Sequence, residues 1–179
     1  MKKSISTDQT PANIAKVIDV LAETPSKLEA LSQALSVNSS VHPLPSVDIP
    51  SVDNLRQPLG RGERSFTEVL AHLINGEARS SEMIYQALLA NEPLFADIHP
   101  DKNWGKLLRF DLLEFSDLLV YFKLRRTVLL RVLSGLKEEG WARCVREEGK
   151  QRKESVYWRA RTIAMHELDH LGDLEIKVG

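Results

Sequence analysis

The feature of this sequence that most constrains its fold is a series of long segments in which apolar residues recur at steps of three and four positions. Such spacing puts apolar side chains on one face of an α-helix. The clearest segment begins at Asp111 or Ser116, continues to about Glu139 and meets a helix-stopping glycine at Gly140. No run of alternating apolar and polar residues between turn signals stands out beside this pattern, so the sequence predicts an all-α chain.

Local signals refine the boundaries of the helices. Ser65 and Glu68 form an S-x-x-E capping box, which marks the start of a helix. Pro25 lies inside the first apolar pattern, and we expect it to break or kink that helix because proline has no backbone N–H to donate. Ser155 is the expected N-cap of the last helix. The four predicted helices cover about residues 11–35, 65–90, 111 or 116 to 139, and 155–175.

A long connection separates the first two predicted helices. Residues 36–64 contain four prolines, two glycines and several serines, a composition that suits an ordered connection better than a helix. A connection of this length crosses from one end of a fold to the other or covers a site. The 179 residues suffice for one domain but not for two of ordinary size. We therefore expect a single domain over residues 1–179, a four-helix bundle with a long crossover connection.

Composition limits the partners of this chain. The formal net charge is −1 at pH 7, which provides no general attraction to nucleic acid or to anionic membranes. No stretch of 18 apolar residues is present, and polar residues follow Met1, so the sequence predicts a cytoplasmic protein without a membrane span. Cys144 is the one cysteine and cannot form an internal disulfide.

The candidate site centres on residues 166–170, HELDH, near the end of the last predicted helix. His166 and His170 are four residues apart, so their imidazoles lie on one helix face and can converge on one divalent ion. The string also fits the H-E-x-x-H pattern of zinc proteases, in which Glu167 would be the general base. A protease needs a third ligand, which usually lies downstream, and a sheet edge for its peptide. The sequence after His170 contains no histidine, and no such edge is predicted. His72, in the middle of the second helix, is the best upstream candidate for the third ligand.

Two segments resemble the DinB-like family of metal-dependent helical bundles. Residues 65–77, SFTEVLAHLINGE, are similar to the first ligand helix of that family, and residues 161–173, RTIAMHELDHLGD, are similar to its closing H-x-x-x-H helix. The resemblance implies the four-helix fold and a three-histidine metal site formed by His72, His166 and His170. It also implies a divalent ion, with zinc and nickel as candidates, that activates a thiol cofactor or a water for transferase or hydrolase chemistry.

Further expectations concern the surroundings of this site. Glu167 is interpreted as a general base or as a residue that orients a ligand. A small-molecule substrate is expected, and a low-molecular-weight thiol would need cationic partners for its carboxylates. The candidate cations on the third and fourth helices are Lys123, Arg125, Arg126, Arg131, Arg159 and Arg161.

Two other interpretations stay open at this point. The protein could be a non-catalytic metal- or ligand-binding bundle in which the ion stabilises the fold. It could also be an interaction protein with Trp104, Trp141 and Trp158 on its surface, although tryptophans are more often found in a core or pocket. His42 and His99 are interpreted as exposed or hydrogen-bonded side chains, and a homodimer is expected because helical bundles with spare apolar stripes often pair through them.

Overall fold

Four long helices form a bundle in the computed structural model, which describes residues 4–38 and 54–178. Helices α1 and α2 each pack against both α4 and α6, and two clusters of buried apolar side chains fill the space between them. This arrangement confirms the predicted four-helix bundle. The long helices are α1 (Pro11–Asn38), α2 (Phe66–Leu89), α4 (Phe115–Ser134) and α6 (Val156–Val178), and the short ones are α3 (Lys106–Leu108) and α5 (Glu138–Ala142).

The predicted helix starts are present. The Ser65 hydroxyl accepts a hydrogen bond from the Glu68 backbone N–H at 3.1 Å, and the Glu68 carboxylate accepts one from the Ser65 backbone N–H at 2.7 Å. Ser155 caps α6 by accepting a hydrogen bond from the backbone N–H of Trp158 at 3.1 Å. These bonds satisfy N–H groups that have no partner within the helix, and they fix where α2 and α6 begin.

Of the two outcomes predicted for Pro25, a break is wrong, because α1 continues through it to Asn38, and a kink stays a prediction. Proline cannot donate a hydrogen bond to the carbonyl four residues earlier, which leaves the Leu21 oxygen without its helical partner. The Arg126 guanidinium of α4 donates to that oxygen at 2.6 Å. A side chain from a facing helix therefore replaces the missing bond.

The third predicted helix is divided in the structure. Gly135, and not Gly140, caps α4, and Gly140 lies inside the short helix α5. A small sheet, which was not predicted from the sequence, joins the segment after α2 to the segment after α5. Its strands are β1 (Leu94–Phe95), β2 (Cys144–Glu147) and β3 (Glu154–Ser155), with β2 parallel to β1 and antiparallel to β3.

The end of the long connection packs against the bundle. Residues 39–53 lie outside the described part of the chain, as does the expectation for His42. The Arg56 side chain donates to the Leu113 carbonyl at 2.9 Å, and the Thr67 hydroxyl donates to the Leu55 carbonyl at 3.0 Å. These contacts tie the connection to the start of α2 and to the segment before α4. Among the described residues, none of the helices is both long and apolar enough to cross a membrane.

Candidate metal centre

Three imidazoles from two helices converge at one place. His72 lies on α2, and His166 and His170 lie one turn apart on α6. The Nε2 atoms of His72 and His166 are 2.8 Å apart, and those of His166 and His170 are 3.2 Å apart. Each residue offers a ring nitrogen within 4.8 Å of the other two. The structure thus brings together all three histidines that the sequence analysis selected.

This donor set fits a divalent metal ion. Nitrogens bound tetrahedrally at zinc–nitrogen distances of about 2.0–2.1 Å would be roughly 3.3 Å apart. The separation of 3.2 Å between His166 and His170 matches this value, and the separation of 2.8 Å between His72 and His166 is shorter by about 0.5 Å. A ligating imidazole must also be neutral. Burial lowers the pKa of His166 to about 4, with the nearby His72 adding to the effect. Burial also lowers the pKa values of His72 and His170. All three rings are therefore in the protonation state that ligands need.

Asp101 fixes the orientation of His72. One carboxylate oxygen of Asp101 lies 2.6 Å from His72 Nδ1 and 3.0 Å from an Arg64 guanidinium nitrogen. Burial opposes ionisation of Asp101. The positive charge that His72 carries when protonated, its hydrogen bond, and contributions from Asn75 and Arg64 together lower the pKa of Asp101. An ionised Asp101 accepts the Nδ1–H of His72, which leaves the Nε2 lone pair facing the other two imidazoles.

The sequence analysis missed Asp101. It lies in a π-helical turn, Pro100–Gly105, that comes directly before α3 in the chain and packs against α2. His99 caps this turn by accepting a hydrogen bond from the Lys102 backbone N–H at 3.3 Å. His99 is thus an exposed, hydrogen-bonded side chain, as expected. A usable signal was the proline after His99, which marks a turn that could carry a polar residue toward a neighbouring helix.

Cavities open on the histidines from different sides. A cavity of about 400 Å³ is lined by His72 and His166 together with Arg79, Lys150 and Arg159. Another, of about 430 Å³, lies on the Arg64 side of His72, and a third, of about 240 Å³, reaches His170. The imidazoles are therefore partly buried but accessible to small molecules.

Glu167 points away from these cavities into the core. Its carboxylate is 1% exposed and is paired with Arg126, whose guanidinium also lies 2.8 Å from Glu77. Burial opposes the charge of Arg126, but Glu167 and Glu77 outweigh it and raise the arginine pKa. Arg126 thus stays charged, and the three side chains form a buried ion network behind the histidines.

Most of the cations that were predicted to bind the carboxylates of a thiol have other partners in the structure. Lys123 pairs with Glu29 at 2.8 Å, and the Arg161 side chain donates to the Ile5 carbonyl at 2.8 Å. Arg159 is the predicted cation that lines the cavity beside His72 and His166, where Arg79 and Lys150, which the sequence analysis did not select, join it. Lys150 lies between β2 and β3, so its place at this cavity depends on the unpredicted sheet, whereas Arg79 lies on the predicted helix α2.

The fold and the histidine cluster define a helical-bundle protein with a candidate metal centre between two facing helices. The chain belongs to the DinB superfamily, whose family profile matches residues 21–174. It is also similar to a solved structure, YfiT from Bacillus subtilis, described as a probable metal-dependent hydrolase with an unusual four-helix bundle topology. That similarity has a TM-score of 0.73 at 17% identity and covers 98% of this chain and 93% of YfiT. No curated protein matches the sequence.

Proposed function

We propose that this protein is a divalent-metal-dependent enzyme that activates a thiol or a water for transferase or hydrolase chemistry on a small molecule. The observation that carries the proposal is the convergence of three neutral imidazoles, two of which, His72 and His166, line a cavity of about 400 Å³. The description of YfiT as a probable metal-dependent hydrolase supports it. Zinc and nickel are the proposed ions, since imidazole ligands suit both.

His72, His166 and His170 would hold the ion, and Asp101 would keep the Nδ1 proton on His72. A divalent ion in a site of three neutral ligands supplies Lewis acidity, which makes a water or thiol nucleophilic near neutral pH. The protein's own contribution is to hold the imidazoles neutral and oriented. The buried ion network behind them keeps α4 and α6 in register.

The cavity beside His72 and His166 favours a substrate or thiol with an acidic group. Arg79, Lys150 and Arg159 contribute three positive charges, and Glu147, which contacts all three, lowers but does not cancel that excess. Glu154 is a further buried carboxylate that contacts Arg159. Asp97 and Asp101 also line the cavity, so its lining carries no net positive charge, and a carboxylate would bind here through direct contacts with the cations and not through general attraction.

For Glu167, the contacts support a positioning role over that of a general base. A base must come within hydrogen-bond reach of the proton that it removes, and Glu167 is buried against Arg126. Glu167→Gln is therefore expected to lower stability and to leave the pH profile of any activity unchanged. A lost acidic limb of that profile in a stably folded variant would assign the base role to Glu167 instead.

The test is an activity screen on protein loaded with zinc or nickel. Acidic thiols would be offered with an alkylating electrophile, and carboxylate esters would be offered alone. We expect turnover by the loaded wild type and by Lys123→Met, whose native side chain pairs with Glu29 away from the histidines, and none by the apoprotein or by His170→Ala. If the loaded protein binds metal but turns over neither class, while metal removal sharply lowers its stability, the non-catalytic metal-binding function replaces the enzyme. A cytoplasmic location is also part of this proposal.

A further inference from the structure

A stripe of apolar side chains follows the outer face of α4. Val120, Leu124 and Val128 are four residues apart and are 59%, 62% and 55% exposed, and Tyr121 beside them is 38% exposed. Single exposed apolar residues are ordinary on a protein surface. A continuous stripe is not, and it marks a surface that binds another molecule.

The neighbouring helices do not cover this stripe. On one side of it, Lys123 pairs with Glu29 of α1 at 2.8 Å. On the other side, the Arg125 guanidinium donates to the Ser81 hydroxyl of α2 at 3.0 Å. Leu124 lies between these two residues in sequence and therefore faces outward, between the flanks that α1 and α2 occupy.

Charged residues of opposite sign lie at the two ends of the stripe. Asp117 precedes Leu124 by seven residues and Arg131 follows it by seven, and both are exposed. Alternating steps of four and three, the spacing of a coiled-coil seam, connect Asp117, Tyr121, Leu124, Val128 and Arg131. We call this surface the α4 seam; its residues are Asp117, Val120, Tyr121, Leu124, Val128 and Arg131.

The apolar surface extends beyond the helix. The ring of Phe110, in the segment before α4, lies 5.6 Å from the ring of Tyr121. Leu112 and Leu113 in the same segment are 61% and 46% exposed. A stable pair of proteins buries roughly 800 Å² on each partner. The extension matters because one helix stripe alone would fall short of that area.

We propose that the α4 seam binds the same seam of a second copy of this chain, with the two helices antiparallel and Leu124 at the two-fold axis. In this arrangement Val120 of each copy meets Val128 of the other, and Asp117 of each copy meets Arg131 of the other. A parallel pair would instead place like charges together. The symmetry of the charges about Leu124 selects the antiparallel pair, because a two-fold interface must be complementary to itself.

The first test is analytical ultracentrifugation of the full chain over a concentration series. The wild type is expected to be a dimer that dissociates on dilution. Leu124→Glu places two carboxylates at the axis and is expected to raise the dimer dissociation constant at least about a hundredfold. Leu89→Glu is the matched control, because Leu89 is 80% exposed at the end of α2 and lies outside the seam. A wild type that is monomeric throughout, or a dimer unaffected by Leu124→Glu, would overturn the proposal.

Charge reversal tests the pairing of the two ends. Asp117→Arg replaces two attractive contacts with two repulsive ones and is expected to weaken the dimer about tenfold. Adding Arg131→Asp restores opposite charges and is expected to restore the dissociation constant. If the double variant is as weak as the single one, the antiparallel register is incorrect.

Cross-linking tests the direction of the helices. The background is Cys144→Ser, which removes the natural thiol. With Asp117→Cys and Arg131→Cys together, a short bismaleimide is expected to join the two chains. With Asp117→Cys alone it is expected to fail, because the fourteen-residue offset separates the two thiols by about 21 Å along the helix axis. Efficient cross-linking of the single variant would indicate a parallel pair and would contradict the proposal.

Discussion

Asp101 determines which nitrogen of His72 faces the other two imidazoles. We predict that Asp101→Asn lowers metal affinity about 10- to 100-fold, because an amide no longer favours the Nδ1–H tautomer by its charge. Isothermal titration with zinc measures the change. Asp97→Asn is the control, since Asp97 lines the same cavity but is exposed. Equal losses in both variants would show that the effect is one of general charge and not of His72 orientation.

For single residues, the sequence predicted the three histidines but not the carboxylate that orients one of them. His166 and His170 were recognisable because a helix places residues four apart on one face, and His72 was selected from its position in the middle of the second helix, with support from the family resemblance. Asp101 is 29 residues from His72, in a turn whose position depends on tertiary packing. The proline before Asp101 marks a turn, but no local periodicity records the contact with His72, so the role of Asp101 could not be predicted.

The buried ion network is a property of how the helices pack. We predict that Arg126→Met lowers the free energy of unfolding by about 3–5 kcal/mol, because it leaves the carboxylates of Glu77 and Glu167 buried without their arginine. It also removes the partner of the Leu21 carbonyl. Urea denaturation gives the magnitude.

Lys123→Met is the control for this prediction. Lys123 is on the same helix but forms a half-exposed pair with Glu29, with side chains 39% and 42% exposed, and such pairs contribute at most about 1 kcal/mol. If Arg126→Met were as mild as Lys123→Met, the network would be unimportant for stability.

The small sheet also contains a pH-dependent contact. Burial opposes ionisation of Glu147, but Lys150 and Arg159 outweigh it and hold its pKa below the ordinary value of 4.5. The contribution of Glu147 to stability is therefore present above about pH 4.5 and is lost as pH falls through its lower, folded-state pKa. We predict that Glu147→Gln lowers the unfolding free energy at pH 7 and that the difference from wild type shrinks below pH 4.5.

Thermal unfolding over a pH series measures this difference. Glu148→Gln, at an exposed neighbouring position, is expected to change little at any pH. A difference between Glu147→Gln and wild type that stayed constant down to pH 2 would contradict the assignment.

Among the elements, the long helices were predictable and the short ones were not. The apolar pattern and the capping box located α2 within about one residue at each end, because these signals are local. The strands are two to four residues long, too short for an alternating pattern to stand out, and β1 pairs with a strand from a distant part of the chain. Pro25 was misjudged for a similar reason, since its helix depends on a bond from Arg126, 101 residues later in the chain.

For the whole molecule, the central claim is that two facing helices form one metal site. The sequence predicted the bundle and the structure confirms it, whereas a single domain over residues 1–179 and the homodimer stay predictions. The metal claim accounts for the neutral imidazoles, the orienting carboxylate and the adjoining cavity together. The claim requires ligands from both α2 and α6, and neither helix alone would form the site.

The most direct test is elemental analysis of protein purified without a metal-affinity column. The wild type and Lys123→Met are expected to hold close to one divalent ion per chain, whereas His72→Ala on α2 and His166→Ala on α6 are expected to lose it. Circular dichroism establishes that the variants are folded. A wild type that contains no metal and cannot be loaded with zinc or nickel, or one whose metal survives the loss of His72, would contradict the cross-helix site.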